Sequence, residues 1–211
     1  MNKEDYLVEE FIADMNKKYF RERKLEMYNR EKVAVLGIDL QRAFLDPSFH
    51  AYLPSSQRFL SFLQDFYHNI KGQIPIIFTR HCHAHPELMA RWWHSDMPCN
   101  TPETEIHPKL EYVSDAIIEK RTYNAFYHTE LDQILRAKDI TTLIITGVMT
   151  HLCCETTARD AFVRGYKVIY PIDGTLTQNA ELHECSVRVI AHGFGVTPTL
   201  SYIESWLSGR V

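Results

Sequence analysis

Six short apolar runs separated by stretches of helical periodicity constrain what this chain can fold into. Val33-Ala34-Val35-Leu36-Gly37-Ile38 is the clearest, and it ends at Asp39. Runs at 74–78, 116–118, 142–145 and 167–172 follow, and a weaker one at 196–200 contains Pro198. A continuous apolar run leaves no face for water, so each reads as a strand covered on both sides. Between them, 56–70, 129–137, 154–164 and 180–192 read as helices. Strands alternating with helices predict an α/β chain: three α/β/α layers around a mostly parallel, Rossmann-like sheet of about six strands.

Composition bounds the function. The 211 residues are 45% hydrophobic and carry a net charge of −4, which gives no basic footprint for nucleic acid. No apolar run approaches the ~20 residues that cross a bilayer, so no membrane partner is expected. The first ten residues are acidic and lack the apolar core of a secretory signal. Five cysteines without framework spacing read as free thiols in a reducing compartment, the cytoplasm. Residues 1–31 are highly charged, with apolar positions at Leu7, Val8, Phe11, Ile12, Met15 and Tyr19. That spacing predicts an N-terminal amphipathic helical extension, packed on a main domain spanning 32–211 or on a neighbouring subunit.

In such sheets ligands bind beyond the carboxyl ends of the strands. Asp39, Lys120 and Cys153 each fall at or just past such an end. Cys153 lies where the run 142–145 passes through Gly147 into the helix at 154–164. A thiol at a helix start is expected to have a lowered pKa, and the backbone N–H groups there can bind an anion. Taken singly, Cys153 can be buried packing, Asp39 a helix cap and Lys120 a solvated charge. Their convergence on one rim argues for chemistry.

Four blocks carry a resemblance. Asp39-Leu40-Gln41-Arg42-Ala43-Phe44, Lys120-Arg121-Thr122-Tyr123-Asn124-Ala125-Phe126, Gly147-Val148-Met149-Thr150-His151-Leu152-Cys153 and Thr156-Thr157-Ala158-Arg159-Asp160-Ala161 occur in that order. Together they resemble the isochorismatase-like cysteine hydrolase superfamily, which includes nicotinamidases, N-carbamoylsarcosine amidases and isochorismatases. The resemblance implies Cys153 as nucleophile, Asp39 as general base and Lys120 as polarising cation. It implies a cis peptide at Val148–Met149 and an oxyanion hole from the N–H groups of Met149 and Cys153. The expected activity is hydrolysis of a small carboxamide or carbamoyl compound through a thioester. A vinyl-ether hydrolase without thiol chemistry, or a non-catalytic binding or redox module on the same fold, are the alternatives.

Relatives of the nicotinamidase type bind a metal through an aspartate and two histidines. Here the corresponding stretch is Arg80-His81-Cys82-His83-Ala84-His85-Pro86, and 52–57 offers no aspartate. The histidine spacing is shifted, so the expectation is no metal and no cofactor, with a polar loop above the site. Phe44, Trp93 and Phe126 are expected to contact substrate, since ligand pockets are largely aromatic-lined. Cys154 is expected to be packing and Asp160 a structural hydrogen-bonding partner. The resemblance, with the apolar face of the N-terminal segment, predicts a homo-oligomer.

Overall fold

The computed structural model describes residues 9–19, 25 and 28–210. Seven strands form one sheet: β1 (Val33–Ile38), β2 (Ile76–His81), β3 (Ala116–Lys120), β4 (Thr142–Val148), β5 (Lys167–Ile169), β6 (Thr175–Leu176) and β7 (Gly195–Val196). Their order is β3-β2-β1-β4-β5-β7, with β6 beside the end of β4, and the ladders between them run parallel. Parallel neighbours need crossovers, and the helices supply them. These are α1 (Glu9–Tyr19), α2 (Arg42–Leu45), α3 (Ser56–Ile70), α4 (Leu88–Trp93), α5 (Leu131–Ala137), α6 (Glu155–Val163), α7 (Ala180–Gly193) and α8 (Leu200–Leu207).

The pleat divides each central strand between two cores. Val33 and Val35 pack with Phe59, Leu60, Leu63 and Phe66 of α3. Ala34, Leu36 and Ile38 face the other way, toward Leu135, Ala158, Ala161 and Ile190. Period-two alternation puts neighbours on opposite faces, and both faces are covered, which is why the run reads as unbroken apolar sequence. On α3 the buried Phe59, Leu60, Leu63, Phe66, Tyr67 and Ile70 form the stripe that a 3.6-residue turn requires.

The predicted strands stand, with shifted ends. The run at 74–78 enters the sheet only at Ile76 and continues to His81, because Pro75 has no N–H to give a ladder. The weak run at 196–200 is divided: Gly195 and Val196 pair with β5, while Leu200 opens α8, capped by the Thr199 hydroxyl. Helix α1 lies on α7. Phe11 and Met15 are buried, Arg188 of α7 sits over the Phe11 ring, and its guanidinium pairs with Asp14 at 2.8 Å. Leu7 and Val8 lie outside the described residues.

Candidate active site

The strand order reverses between β1 and β4, and a doubly wound sheet opens its crevice at that point. Asp39 leaves β1 there in a left-handed conformation, with φ of 49°. Thr79 of β2 holds it twice. The threonine Oγ1 accepts from the Asp39 N–H at 3.0 Å and donates to Oδ1 at 2.6 Å. The second carboxylate oxygen meets Lys120 Nζ at 2.6 Å, with both side chains fully buried. Lys120 ends β3 and also donates to the Thr122 carbonyl at 2.9 Å and to Cys153 Sγ at 3.4 Å. Three strand ends thus bring carboxylate, ammonium and thiol together.

Cys153 sits in a single π-helical turn, Thr150–Cys154, between β4 and α6. Gly147, at φ of 115°, permits the approach to this turn: a Cβ there would lie 2.1 Å from the Ile38 carbonyl oxygen. The Val148–Met149 peptide is cis. Gln41, two residues past Asp39, ties the end of β2 to this rim. Its amide donates to the His81 and Thr104 carbonyls and accepts the His81 N–H.

The electrostatics correct one expectation. The Cys153 thiol is not lowered by its position at a helix start. Burial pushes its pKa up, the Lys120 charge pulls it down, and the Asp39 charge and hydrogen bond push it up again. Burial thus favours the protonated thiol, set against a carboxylate that can take the proton. For Lys120, burial opposes the charge, but Asp39 and Cys153 together hold its pKa above the ordinary lysine value.

Cys153 opens on a cavity of about 250 Å³, lined also by Phe44, Trp93, Tyr123, Met97, Leu152 and Gln178. Trp93 donates its indole N–H to the Tyr123 hydroxyl at 3.0 Å. Phe126 does not reach this cavity. It is buried in the core beneath α6, stacked on Tyr166 with Arg164 over its ring. Its position six residues past Lys120 carries it around the loop and back under the sheet. Tyr123, only three residues past Lys120, lines the cavity with the thiol instead, and its place in the same block was the available signal. Cys154 is buried beside the Thr146 carbonyl, and Asp160 accepts from Asn124 at 2.8 Å.

The histidine segment is not a solvated loop. His81 and His83 are buried and line the cavity. His81 Nε2 lies 2.8 Å from His83 Nδ1, and His83 Nε2 lies 3.0 Å from the Ser95 carbonyl. Burial, then the nearby Lys120 and His83, push the His81 pKa well below its ordinary value. His85 is turned outward onto Asp96. Among the described residues, His81 and His83 are not joined by a third His, Cys, Asp or Glu group within reach of one ion, so the ligand set of the nicotinamidase kind is not gathered here.

Cys82, between the two histidines, is joined to Cys99 with a Cα separation of 5.0 Å. The expectation of five free thiols is thereby corrected: Cys153, Cys154 and Cys185 are free. With that bond, the cysteine count no longer argues for a reducing compartment. The bridge closes the loop that presents Met89, Trp93, Ser95 and Met97 to the cavity.

Residues 33–201 match the family model of the isochorismatase domain. The chain belongs to the isochorismatase family. It is 38% identical over 131 residues to nicotinamidase 3 of Arabidopsis thaliana, covering 59% of this chain and 66% of that one. It is 34% identical over 131 residues to the ureidoacrylate amidohydrolase RutB of Methylobacterium radiotolerans, covering 61% and 47%. The match therefore spans less than two thirds of each of these relatives. Among solved structures, a cysteine hydrolase from Pseudomonas syringae pv. phaseolicola 1448A superposes with a TM-score of 0.80 at 26% identity, covering 87% of this chain and 96% of that one.

Proposed function

We propose that this protein hydrolyses a small carboxamide or carbamoyl compound through a thioester on Cys153. The single observation that carries the reading is the buried Asp39–Lys120 pair set directly behind a thiol that faces a substrate-sized cavity. The names of the two relatives, both amidohydrolases, support the same class.

The thiol proton passes to Asp39 as the sulfur attacks the carbonyl carbon. With Asp39 then neutral, the Lys120 charge beside the sulfur stabilises the negative charge that develops there. The N–H groups of Met149 and Cys153 stabilise the developing oxyanion. Collapse expels ammonia or an amine, which takes the proton from Asp39. Water, deprotonated by Asp39, attacks the thioester, and the carboxylic acid leaves as the thiol re-forms.

The cavity lining includes no Asp, Glu, Lys or Arg side chain. This favours an uncharged substrate over an anionic ureido acid, whose carboxylate would lose its hydration without a counter-charge.

The test is a screen of uncharged primary amides and their ureido-acid counterparts for ammonia release, with intact-mass detection of an acyl adduct. Wild-type protein is expected to show the adduct, and Cys153→Ala neither adduct nor turnover. Turnover retained in Cys153→Ala would refute the thiol mechanism and favour the vinyl-ether type.

A further inference from the structure

A hydrogen-bonded chain behind the cysteine turn is left unused by the proposed reaction. Thr150 opens that turn, and its Oγ1 lies 3.1 Å from Thr175 Oγ1 and 3.0 Å from His183 Nδ1. His183 Nε2 lies 2.9 Å from the Ile172 carbonyl. Thr150, Thr175 and His183 are buried, His183 completely.

The carbonyl at one end fixes the histidine's tautomer. A carbonyl only accepts, so the Ile172 oxygen requires the proton on His183 Nε2. Burial keeps the imidazole neutral, with its pKa pushed down to about 4. Its Nδ1 is then an acceptor, and the Thr150 hydroxyl must donate to it. The Thr150 hydroxyl is also placed to donate to Thr175 Oγ1, so its one proton serves both acceptors. The Thr150 carbonyl is fixed as well, accepting from the Tyr170 hydroxyl at 2.7 Å and from Ser186 Oγ at 3.3 Å.

Helix α1 closes the arrangement from outside. The Phe11 ring meets the His183 ring edge-on, with centroids 6.4 Å apart and planes at 70°. The charged groups nearby are Glu184, beside His183 on α7, and the Asp14–Arg188 pair beyond Phe11. Tyr170, just past β5, is a further titratable neighbour among the described residues, bound to Thr150.

We propose that His183 is a positioning residue for Cys153: through Thr150 it fixes the turn that carries Met149 and the thiol, and Phe11 of α1 keeps its ring dry. The proposal rests on the reading of Cys153 as the nucleophile. It assigns the N-terminal helix a part in activity, though α1 touches neither cavity nor thiol. A π-helical turn is an irregular, locally weak element, and small displacements of reacting groups cost much in rate.

The test reads Cys153 directly. Its rate of alkylation by iodoacetamide, followed by peptide mapping, needs no substrate, so it stands even if amide hydrolysis proves to be the wrong reaction. His183→Leu keeps the bulk and removes both hydrogen bonds. Its alkylation rate and kcat are expected to fall about tenfold with KM within about twofold, the signature of lost alignment rather than lost binding.

His183→Asn, which restores an acceptor for Thr150, is expected to recover most of the loss. Thr150→Val should match His183→Leu, and the double variant should be no slower than either single one. Alkylation within about twofold of wild type in these variants, or losses that multiply, would overturn the proposal. Should His183→Leu fail to fold, Phe11→Ala leaves the chain of bonds intact. There the His183 ring, followed by NMR, should take up its proton at higher pH than in wild type. An unchanged titration would overturn the role given to α1.

Discussion

At the residue scale, the candidate site is one buried charge pair set beside one thiol. Asp39 and Lys120 are fully buried and 2.6 Å apart, so neither charge tolerates loss of the other. Asp39→Asn removes the proton acceptor while keeping the shape. Turnover is expected to drop about 10²- to 10⁴-fold with the fold retained, checked by steady-state kinetics and circular dichroism. Lys120→Met leaves the Asp39 carboxylate buried without a counter-charge. That variant is expected to lose about 3–5 kcal/mol of stability, measured by urea unfolding, besides its activity.

At the element scale, helix α8 starts on a carboxylate that its surroundings disfavour. Asp173 Oδ1 accepts the Leu200 N–H at 2.8 Å, yet burial raises the Asp173 pKa to about 6. A raised carboxyl pKa means that the folded state holds the proton more tightly than the unfolded chain does. Its contribution is complete below about pH 4 and is lost as pH rises through about 6. Asp173→Asn keeps the acceptor and removes the ionisation. It is expected to be more stable than wild type by about 1–3 kcal/mol at pH 8, with the difference shrinking toward pH 4. Parallel denaturation series at the two pH values check this. The N-terminal helix shows the reach of another element: Phe11 and Met15 are buried against the body, so this described part of the apolar face is covered within one chain.

At the scale of the whole molecule, two expectations concern what the chain works with. Activity is expected to survive prolonged EDTA treatment. The histidine spacing is shifted and 52–57 offers no aspartate, and metal analysis of the active protein checks it. A homo-oligomer remains our proposal. Its support has moved from the N-terminal face to exposed Leu88, Trp92 and Val163, which leave apolar surface for a second copy. Light scattering is expected to give a mass that is a multiple of 24.7 kDa. No helix among the described residues is long and apolar enough to cross a membrane.

The sequence by itself determined the layers and the rim. Strand identity follows from runs too apolar to face water, and a parallel sheet of such strands delivers their carboxyl ends to one side. Asp39, Lys120 and Cys153 were legible because each adjoins one of those ends. What lay beyond local pattern was decided only in three dimensions. Phe126 and Tyr123 are three residues apart, and which one lines the cavity depends on how the loop turns after β3. The pairing of Cys82 with Cys99 depends on an antiparallel bridge between His83 and Met97, which no spacing rule encodes. The direction of the Cys153 shift differs from the expectation for the same reason. A helix start favours a thiolate when water and the dipole are the only neighbours, but here full burial and a carboxylate outweigh them. Periodicity records which face of an element is covered. It does not record what covers it, and the electrostatics of a buried site are set by its neighbours in space.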